Sequence, residues 1–215
     1  MESTDITSLA LTVDEIEGRP MVSLRQMGKN YNWNFEYLPE EKKVAVRSGE
    51  KDVEIPLAEN RYGDKRMEAA PEIKEGRTFV GLDFINPLMQ DLEDIKVHLL
   101  VSLRTDRKRA KPGDELTAII ELYNISEDTI RLHYPSGQLY DLCLCRDDSE
   151  VWRWSDDKFF TMALQFKDLE AGDRLYYREK VPIKEGLSAG SYILGGEIAT
   201  ESSLPLPRVE IEVVK

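Results

Sequence analysis

Few residues in this sequence have the type and spacing needed for catalysis. Only two histidines are present, His98 and His133, and both lie in stretches with the alternating pattern of β-strands. Ser136 stands in a Tyr-Pro-Ser-Gly-Gln run that is typical of a turn, without a histidine or lysine at a spacing that would activate it. No HExxH, GxSxG, P-loop or GxGxxG motif occurs. We therefore predict no catalytic residue and no enzymatic activity.

Metal and disulfide chemistry are equally unsupported by the spacing of potential ligands. Cys143 and Cys145 stand two residues apart in a predicted strand, so both side chains point to one face, which suits small half-buried residues better than a disulfide. No CxxC motif or nearby histidine completes a zinc site. The acidic turns RDDSE and SDDK lack the spacing of a calcium-binding loop. We predict no metal, no cofactor and no disulfide framework.

The charge of the chain argues against two classes of partner. The formal net charge is −12, from 29 basic and 41 acidic residues. Such a chain repels the phosphates of nucleic acids and anionic membrane surfaces. No apolar run reaches the ~20 residues of a transmembrane helix. No signal peptide is visible, so we expect a cytoplasmic protein if the chain is complete as given, and an extracytoplasmic one, secreted or in the cell envelope, if a signal peptide was removed.

A short internal repeat marks the first part of the chain. GRPMVSLRQM begins at Gly18-Arg19 and GRTFVGLDFI begins at Gly76-Arg77. Neither copy holds a nucleophile, a metal ligand or a general base, so we interpret these four residues as structural: a tight glycine turn followed by an apolar helix face. We expect each arginine to hydrogen-bond a carbonyl or carboxylate at its turn. A hairpin-like meander separates the copies, which predicts an α+β domain over residues 1–92.

The second part of the chain, from about residue 95, changes to short alternating strands separated by turn residues. Such regular spacing, almost without helix, predicts a β-sandwich over residues 97–215. Trp152 and Trp154 share one face of a predicted strand, and we expect them to anchor the core. An alternating strand begins near residue 95 and precedes a basic turn, and further predicted strands follow at 116–123, 130–134, 139–145, 151–154, 161–166, 174–181, 191–199 and 209–214.

The repeat also carries a resemblance to a known family. EGRPMVSLRQM, EGRTFVGLDFI and the intervening NWNFEYLPEEKKVAV resemble the copper amine oxidase-like N-terminal domain of bacterial proteins, over about residues 8–90. Ser23 and Gly81 stand where that family usually has proline, and Asp83 replaces arginine in the second copy. The resemblance implies a small non-catalytic module. An oxidase needs three histidine copper ligands, and this chain has only His98 and His133, both outside the domain.

The second part resembles the BsuPI-type intracellular proteinase inhibitors, over about residues 97–215. The resemblance is carried, in order, by the Asn-Ile-Ser turn, SGQLYD, VWRWSDDKFF and a late Gly-Ser-Tyr strand. It implies an immunoglobulin-like sandwich and inhibition of a serine proteinase, and it assigns no reactive-site residue to this chain.

These observations favour a non-enzymatic, two-domain protein that binds another protein, with a serine proteinase as the candidate target of the second domain. The alternative is a structural or adhesion protein of the bacterial cell envelope. Two loops are candidates for partner binding: one contains Ser203, Leu204, Pro205, Leu206 and Pro207, which two prolines stiffen, and the other contains Asp156, Asp157 and Lys158. The proline-rich loop could equally be an ordinary connection whose prolines keep an edge strand from pairing. The sequence leaves the target and the oligomeric state open.

Overall fold

A computed structural model describes residues 6–215, which form mostly β-strands with two α-helices. The chain divides into two compact units: one holds Thr7 and Leu11–His98, and the other holds Ser8–Ala10 and Leu99–Lys215. No helix within 6–215 has both the length and the apolar character to span a bilayer. The strand β1 (Ser8–Ala10) belongs to the second unit although it precedes the first in sequence.

Nine strands and both α-helices build the first unit. They are β2 (Val13–Ile16), β3 (Arg19–Ser23), α1 (Leu24–Tyr31), β4 (Asn34–Leu38), β5 (Lys43–Ser48), β6 (Lys51–Pro56), β7 (Arg61–Tyr62), β8 (Lys65–Arg66), β9 (Glu72–Lys74), β10 (Arg77–Gly81) and α2 (Ile85–Glu93). A short 3₁₀ turn, Leu82–Phe84, leads into α2.

The internal repeat forms the centre of one sheet in this unit. Each copy contributes a hairpin followed by a helix, and the two hairpins join through β3 and β10, which pair antiparallel, in the strand order β2-β3-β10-β9. Both turns need positive φ at two residues: Glu17 (51°) and Gly18 (76°) in the first copy, then Glu75 (51°) and Gly76 (69°) in the second. Those angles suit a two-residue hairpin, in which glycine is the favoured second residue.

The sequence prediction omitted one element of the repeat. A strand of five residues separates each glycine turn from its helix, so Met21 and Val22 lie buried in β3 and the first helix begins only at Leu24. The apolar residues Val22, Leu24 and Met27 fit a helix by spacing alone. Hairpin pairing in register with β2 and β10 fixes the first of them in a strand instead.

The second unit is almost entirely β-structure. After β1 it comprises β11 (Leu99–Thr105), β12 (Arg109–Ala110), β13 (Glu115–Asn124), β14 (Ile130–Tyr134), β15 (Tyr140–Arg146), β16 (Ser149–Arg153), β17 (Gln165–Leu169), β18 (Arg174–Pro182), β19 (Gly190–Ile198), β20 (Leu204–Pro205) and β21 (Val209–Val213).

Two sheets share the core of this unit. One has the order β1-β11-β13-β18 and the other the order β12-β21-β19-β15-β16, with β20 added to β19. Side chains from both sheets form a single buried hydrophobic cluster that includes Leu103, Ile120, Leu142, Tyr192 and Leu194. Alternation along each strand produces this arrangement, because every second side chain of a strand faces the core. The strands β14 and β17 pair with each other as a separate ribbon.

The strand prediction fails at two places for an informative reason. The sequence run SLALTVDEI, residues 8–16, predicts one short strand, yet Ser8–Ala10 pairs in parallel with β11 while Val13–Ile16 pairs with β3. Residues 161–166 also alternate, yet the strand β17 begins only at Gln165. In both stretches the period of two is real, but periodicity does not specify which strand, if any, lies alongside.

Candidate functional site

The segment before β17, Asp156–Leu164, is the most exposed apolar stretch that the structure describes, and we call it the apolar loop. Phe159 is fully exposed (102%), Met162 is 90% exposed and Leu164 is 70% exposed. A soluble protein rarely leaves such large apolar side chains uncovered side by side, and contiguous exposure of this kind is typical of an interaction site. Within 6–215 this segment has no partner strand.

Its N-terminal end is held to β15. The backbone N–H of Trp154 donates to the carbonyl of Leu142 at 2.8 Å, and the Ser155 hydroxyl donates to Asp141 Oδ2 at 2.8 Å. Arg153 Nη1 donates to the same carboxylate oxygen at 2.8 Å. Asp141 is buried, so its charge requires these donors, and the requirement fixes the chain at the start of the apolar loop.

The indole ring of Trp154 holds two residues of the loop. The Lys158 ammonium lies 4.7 Å from the ring centroid, within cation–π range, and the Phe160 ring stacks at 5.7 Å with an interplanar angle of 30°. The ring itself is fixed, because its Nε1–H donates to Glu179 Oε2 at 2.9 Å and Tyr140 packs against it at 4.7 Å. Trp154 therefore contacts the neighbours of Phe159 on both sides.

The buried tyrosine beside this indole completes its support. The Tyr140 hydroxyl donates to Glu179, the same carboxylate that accepts from Trp154. Burial, followed by that hydrogen bond, raises the pKa of Tyr140, so the hydroxyl keeps its proton and remains a donor. One carboxylate thus orients both aromatic rings under the loop.

The C-terminal end of the loop is held by the turn after β14 and by the strand pair that follows. The Gly137 N–H donates to the Thr161 carbonyl at 2.8 Å, and a Cβ at Gly137 would lie 2.7 Å from Thr161 Oγ1. The approach is therefore close enough to require glycine. Beyond Leu164, β17 pairs with β14, the Phe166 ring packs edge-on to His133 at 4.8 Å, and Arg131 forms a bidentate ion pair with Asp168 at 2.6 and 2.7 Å.

This arrangement presents side chains and backbone but contains no chemical catalyst. Lys158 and Phe160 are drawn to the indole, whereas Phe159, between them, points to solvent. Within residues 6–215 no group of three histidine, cysteine or acidic side chains could hold a metal ion. What the site offers to a partner is a supported segment, outside any helix or strand, with large exposed apolar side chains.

The two candidate loops differ in how much of each is buried. Asp156, Asp157 and Lys158 are exposed at the start of the apolar loop. In the other loop, Ser203–Pro207, which we call the proline loop, Leu204 and Pro205 form β20 against β19, and Leu206 is buried. The Leu206 N–H donates to the Gly196 carbonyl at 2.9 Å and the Ser203 hydroxyl donates to Glu197 at 2.5 Å.

The remaining residues that the sequence singled out lie apart from the apolar loop or take part in packing. Arg19 Nη2 contacts Glu17 at 3.2 Å and Glu72 at 2.6 Å, as expected of a turn arginine, whereas the Arg77 side chain makes no ion pair or hydrogen bond within 6–215. Trp152 and Trp154 both pack against the core, as predicted.

Cys143 and Cys145 are free thiols with their sulfur atoms 3.9 Å apart. Burial, reinforced by Cys145, raises the pKa of Cys143 to about 11, so this thiol stays protonated near neutral pH and is a poor nucleophile. The Ser136 hydroxyl accepts a hydrogen bond from the Gln138 N–H at 3.1 Å and so belongs to a turn.

Sequence reasoning placed Phe159 at the end of the candidate loop WSDDKF but did not select Met162 and Leu164 as candidates. Their signal was present, because apolar residues alternate through Met162, Leu164 and Phe166 directly after an acidic turn. We interpreted that alternation as a half-buried strand, whereas the structure leaves its apolar side uncovered. A half-buried strand and an exposed apolar segment differ only in whether another part of the protein covers the apolar side chains, and a single sequence does not contain that information.

Comparison with known families identifies both parts of the chain. Residues 5–90 match the copper amine oxidase N-terminal domain, and residues 103–203 match BsuPI, the intracellular proteinase inhibitor family. The chain therefore contains a copper amine oxidase N-terminal domain match over residues 5–90, followed by a BsuPI match over residues 103–203, and the apolar loop lies within the BsuPI match. No curated protein matches the chain.

Solved structures resemble the chain only distantly. The DNA glycosylase AlkC of Pseudomonas fluorescens matches 55% of this chain at 13% identity and a TM-score of 0.37, and the chain spans 31% of it. The sporulation control protein Spo0M of Bacillus subtilis matches 55% at 11% identity and a TM-score of 0.38, and the chain spans 50% of it. The CARDB domain of PF1109 from Pyrococcus furiosus matches 54% at 10% identity and a TM-score of 0.32, with 87% of that domain covered. At these scores no functional argument follows.

Proposed function

We propose that this protein is a non-enzymatic proteinase inhibitor whose BsuPI domain binds a serine proteinase through the apolar loop. The observation that carries the proposal is the exposure of Phe159, Met162 and Leu164 on a segment whose two ends are hydrogen-bonded to the body of an inhibitor-family domain. Proteinases bind extended peptide segments in a cleft, pairing with the backbone and accepting alternate side chains in pockets. The apolar loop supplies both features.

The anchoring of the apolar loop favours a role in binding a partner over the alternative of an exposed loop that binds nothing. A flexible segment loses conformational entropy when a partner immobilises it, whereas a segment already fixed at Ser155, Phe160 and Thr161 loses less. Covering the apolar side chains would add about 25 cal/mol for each Å² removed from water. Preorganisation and apolar burial therefore act together in favour of a complex.

We further propose that the second unit is an immunoglobulin-like sandwich and that residues 1–92 and 97–215 act as separate domains. Two predominantly antiparallel sheets with one shared hydrophobic cluster support the first proposal. The division of the chain into two compact units supports the second. The sandwich would provide a rigid scaffold for the loop, as sandwiches do for other binding loops.

The experiment is a titration of serine proteinases with the full chain. Subtilisin and chymotrypsin, which accept large apolar residues, are assayed on small peptide substrates with the protein in micromolar excess. We expect a dose-dependent loss of proteinase activity, and we expect the double variant Met162→Ser/Leu164→Ser to inhibit more weakly. Unchanged rates with the unsubstituted protein would contradict the proposed function.

A matched control distinguishes the effect of the loop substitutions from the effect of removing any exposed apolar side chain. Ile73 in the first unit is 51% exposed, so Ile73→Ser removes a comparable exposed apolar side chain elsewhere. We expect Ile73→Ser to inhibit like the unsubstituted protein. Equal loss of inhibition in the control and the loop variant would mean that the apolar loop is not the contact site.

A further inference from the structure

The apolar loop contains one exposed residue whose two neighbours in the chain both contact the same side chain. Lys158 and Phe160 both contact the indole of Trp154, at 4.7 Å and 5.7 Å from its centroid, and Phe159 stands fully exposed between them. Successive side chains of an extended segment point in opposite directions. Fixing the two neighbours towards the body of the domain therefore directs Phe159 outward.

Building on the proposed function, we infer that Phe159 is the residue that fills the primary specificity pocket of the target proteinase, and that Phe159–Phe160 is the bond presented to its nucleophile. The target class is then a serine proteinase whose pocket accepts a large aromatic side chain. Three features single out Phe159 among the exposed apolar residues: full exposure, a fixed residue on either side, and a position near the acidic turn at the start of the loop.

The other exposed residues of the loop lack this combination. Met162 and Leu164 follow the anchored carbonyl of Thr161 on the same side, and the structure shows no side-chain contact that fixes Ala163 between them. Their alternation continues into Phe166 of β17. We assign them to pockets beyond the reacting bond, where they add contact area without determining which bond is attacked.

The anchored neighbours also explain how a cleavable bond could inhibit. The proteinase serine oxygen attacks the Phe159 carbonyl carbon and forms an acyl ester, and the C–N bond to Phe160 breaks. The Phe160 nitrogen takes up the proton that the serine hydroxyl lost and leaves as an amine. Phe160 stays stacked on Trp154, and the Thr161 carbonyl stays bonded to Gly137. The amine therefore remains next to the acyl ester and re-forms the peptide bond before water hydrolyses the ester, since a held reactant has a high effective concentration.

The test introduces a positive charge at the proposed specificity residue, Phe159. Trypsin differs from chymotrypsin in having an aspartate at the base of its pocket, which favours lysine. We expect Phe159→Lys to raise the inhibition constant for chymotrypsin at least about 30-fold, the loss typical of a central contact residue, and to create inhibition of trypsin. Met162→Lys, with the same charge change three residues along the loop, is the control and should not create trypsin inhibition. Trypsin inhibition by Met162→Lys, or none by Phe159→Lys, would overturn the inference.

Mapping of the bond cut in the native protein separates this inference from the proposed function. The full chain is incubated with catalytic amounts of chymotrypsin and the first product is identified by mass spectrometry. A first cut after Phe159 supports the inference even where inhibition is absent, in which case only the inhibitor function fails. Inhibition together with a first cut after Met162 or Leu164 retains the function and overturns the inference. If the protein neither inhibits the proteinase nor is first cut after Phe159, both the inference and the proposed function are overturned.

Discussion

The apolar loop and the proline loop both connect strands of the same domain, and both contain apolar residues. They differ in whether those apolar side chains are buried or exposed. In the proline loop the leucines face the core and the polar Ser203 faces solvent. In the apolar loop the large apolar side chains Phe159, Met162 and Leu164 face solvent. The comparison shows that stiffness and apolar composition alone do not leave apolar side chains accessible to a partner. What matters is which atoms the anchors leave free.

The anchors themselves explain the difference. The proline loop is anchored by its own backbone and leucines, through β20 and the hydrogen bond from Leu206 to Gly196. The apolar loop is anchored at Ser155, just before it begins, and at Phe160 and Thr161 in its middle. These anchors leave Phe159 held on both sides and still accessible, which is the condition for preorganised binding.

The largest effect is expected for Gly196→Ala beneath the proline loop. A Cβ on Gly196, which has φ of 153°, would collide with the Asp141 backbone carbonyl. We expect a loss of at least about 3 kcal/mol in the free energy of unfolding, measured by urea denaturation, because neither backbone can yield easily. Gly172→Ala is the control: its φ is 79° but its Cβ would meet open space, so about 1 kcal/mol is expected. Equal losses would show that the backbone clash is relieved.

A pair of identical substitutions compares the loops directly. Leu206→Ala, at a site only 5% exposed, should lower the free energy of unfolding by about 2–3 kcal/mol and leave the inhibition constant of the folded protein unchanged. Leu164→Ala, at a site 70% exposed, should change stability by less than about 0.5 kcal/mol and weaken inhibition. Urea midpoints and inhibition constants measure the two effects. A stability loss at Leu164 as large as that at Leu206 would refute the assigned difference in burial.

Removal of the indole should loosen only the apolar loop. Trp154→Leu keeps an apolar side chain but a smaller one, and loses the contacts with Lys158 and Phe160 and the hydrogen bond to Glu179, so we expect a loss of about 1–2 kcal/mol in stability. The larger consequence is kinetic: the released loop should be cut by chymotrypsin much faster than in the unsubstituted protein. Trp152→Leu, on the same strand region but without a contact to the loop, should keep slow cleavage. Equal cleavage rates in both variants would remove the role assigned to Trp154.

The smallest effect is expected at the strand pair that ends the apolar loop. The side-chain hydrogen bond from Arg131 lowers the pKa of Asp168, so the folded state prefers the carboxylate. That contribution is present above the ordinary aspartate pKa of about 4 and is lost as pH falls below the lowered value. We expect the urea midpoint of Asp168→Asn to lie slightly below that of the unsubstituted protein at neutral pH and to coincide with it in acid. A difference that persists in acid would contradict the ion-pair origin.

Much of the architecture follows from local patterns in the sequence. Glu17-Gly18 and Glu75-Gly76 indicate tight turns because glycine accepts positive φ there, and alternation predicts strands such as Ile130–Tyr134 at the bounds observed. Partner choice is what the sequence did not reveal. Leu9 and Leu11 alternate evenly with Val13, yet β1 and β2 join different sheets.

The same limit applied to the candidate site. Asp156, Asp157 and Lys158 are identified as a candidate loop from the sequence, but the neighbouring Met162 and Leu164 are assigned to a predicted strand at 161–166. An apolar residue in an alternating run is normally covered, and coverage depends on long-range packing that short-range patterns do not encode. Exposure therefore had to be observed before these residues could be recognised.

The central claim is that the apolar loop, and not the proline loop, contacts the proteinase. Backbone amide hydrogen exchange of the full chain, measured alone and with saturating subtilisin made inactive at its serine, tests it most directly. We expect exchange to slow across residues 157–164 on binding, because these amides lack strand partners in the free protein and would pair with the enzyme. Exchange across residues 203–207 should not change. Slowed exchange at 203–207 with none at 157–164 would contradict the account.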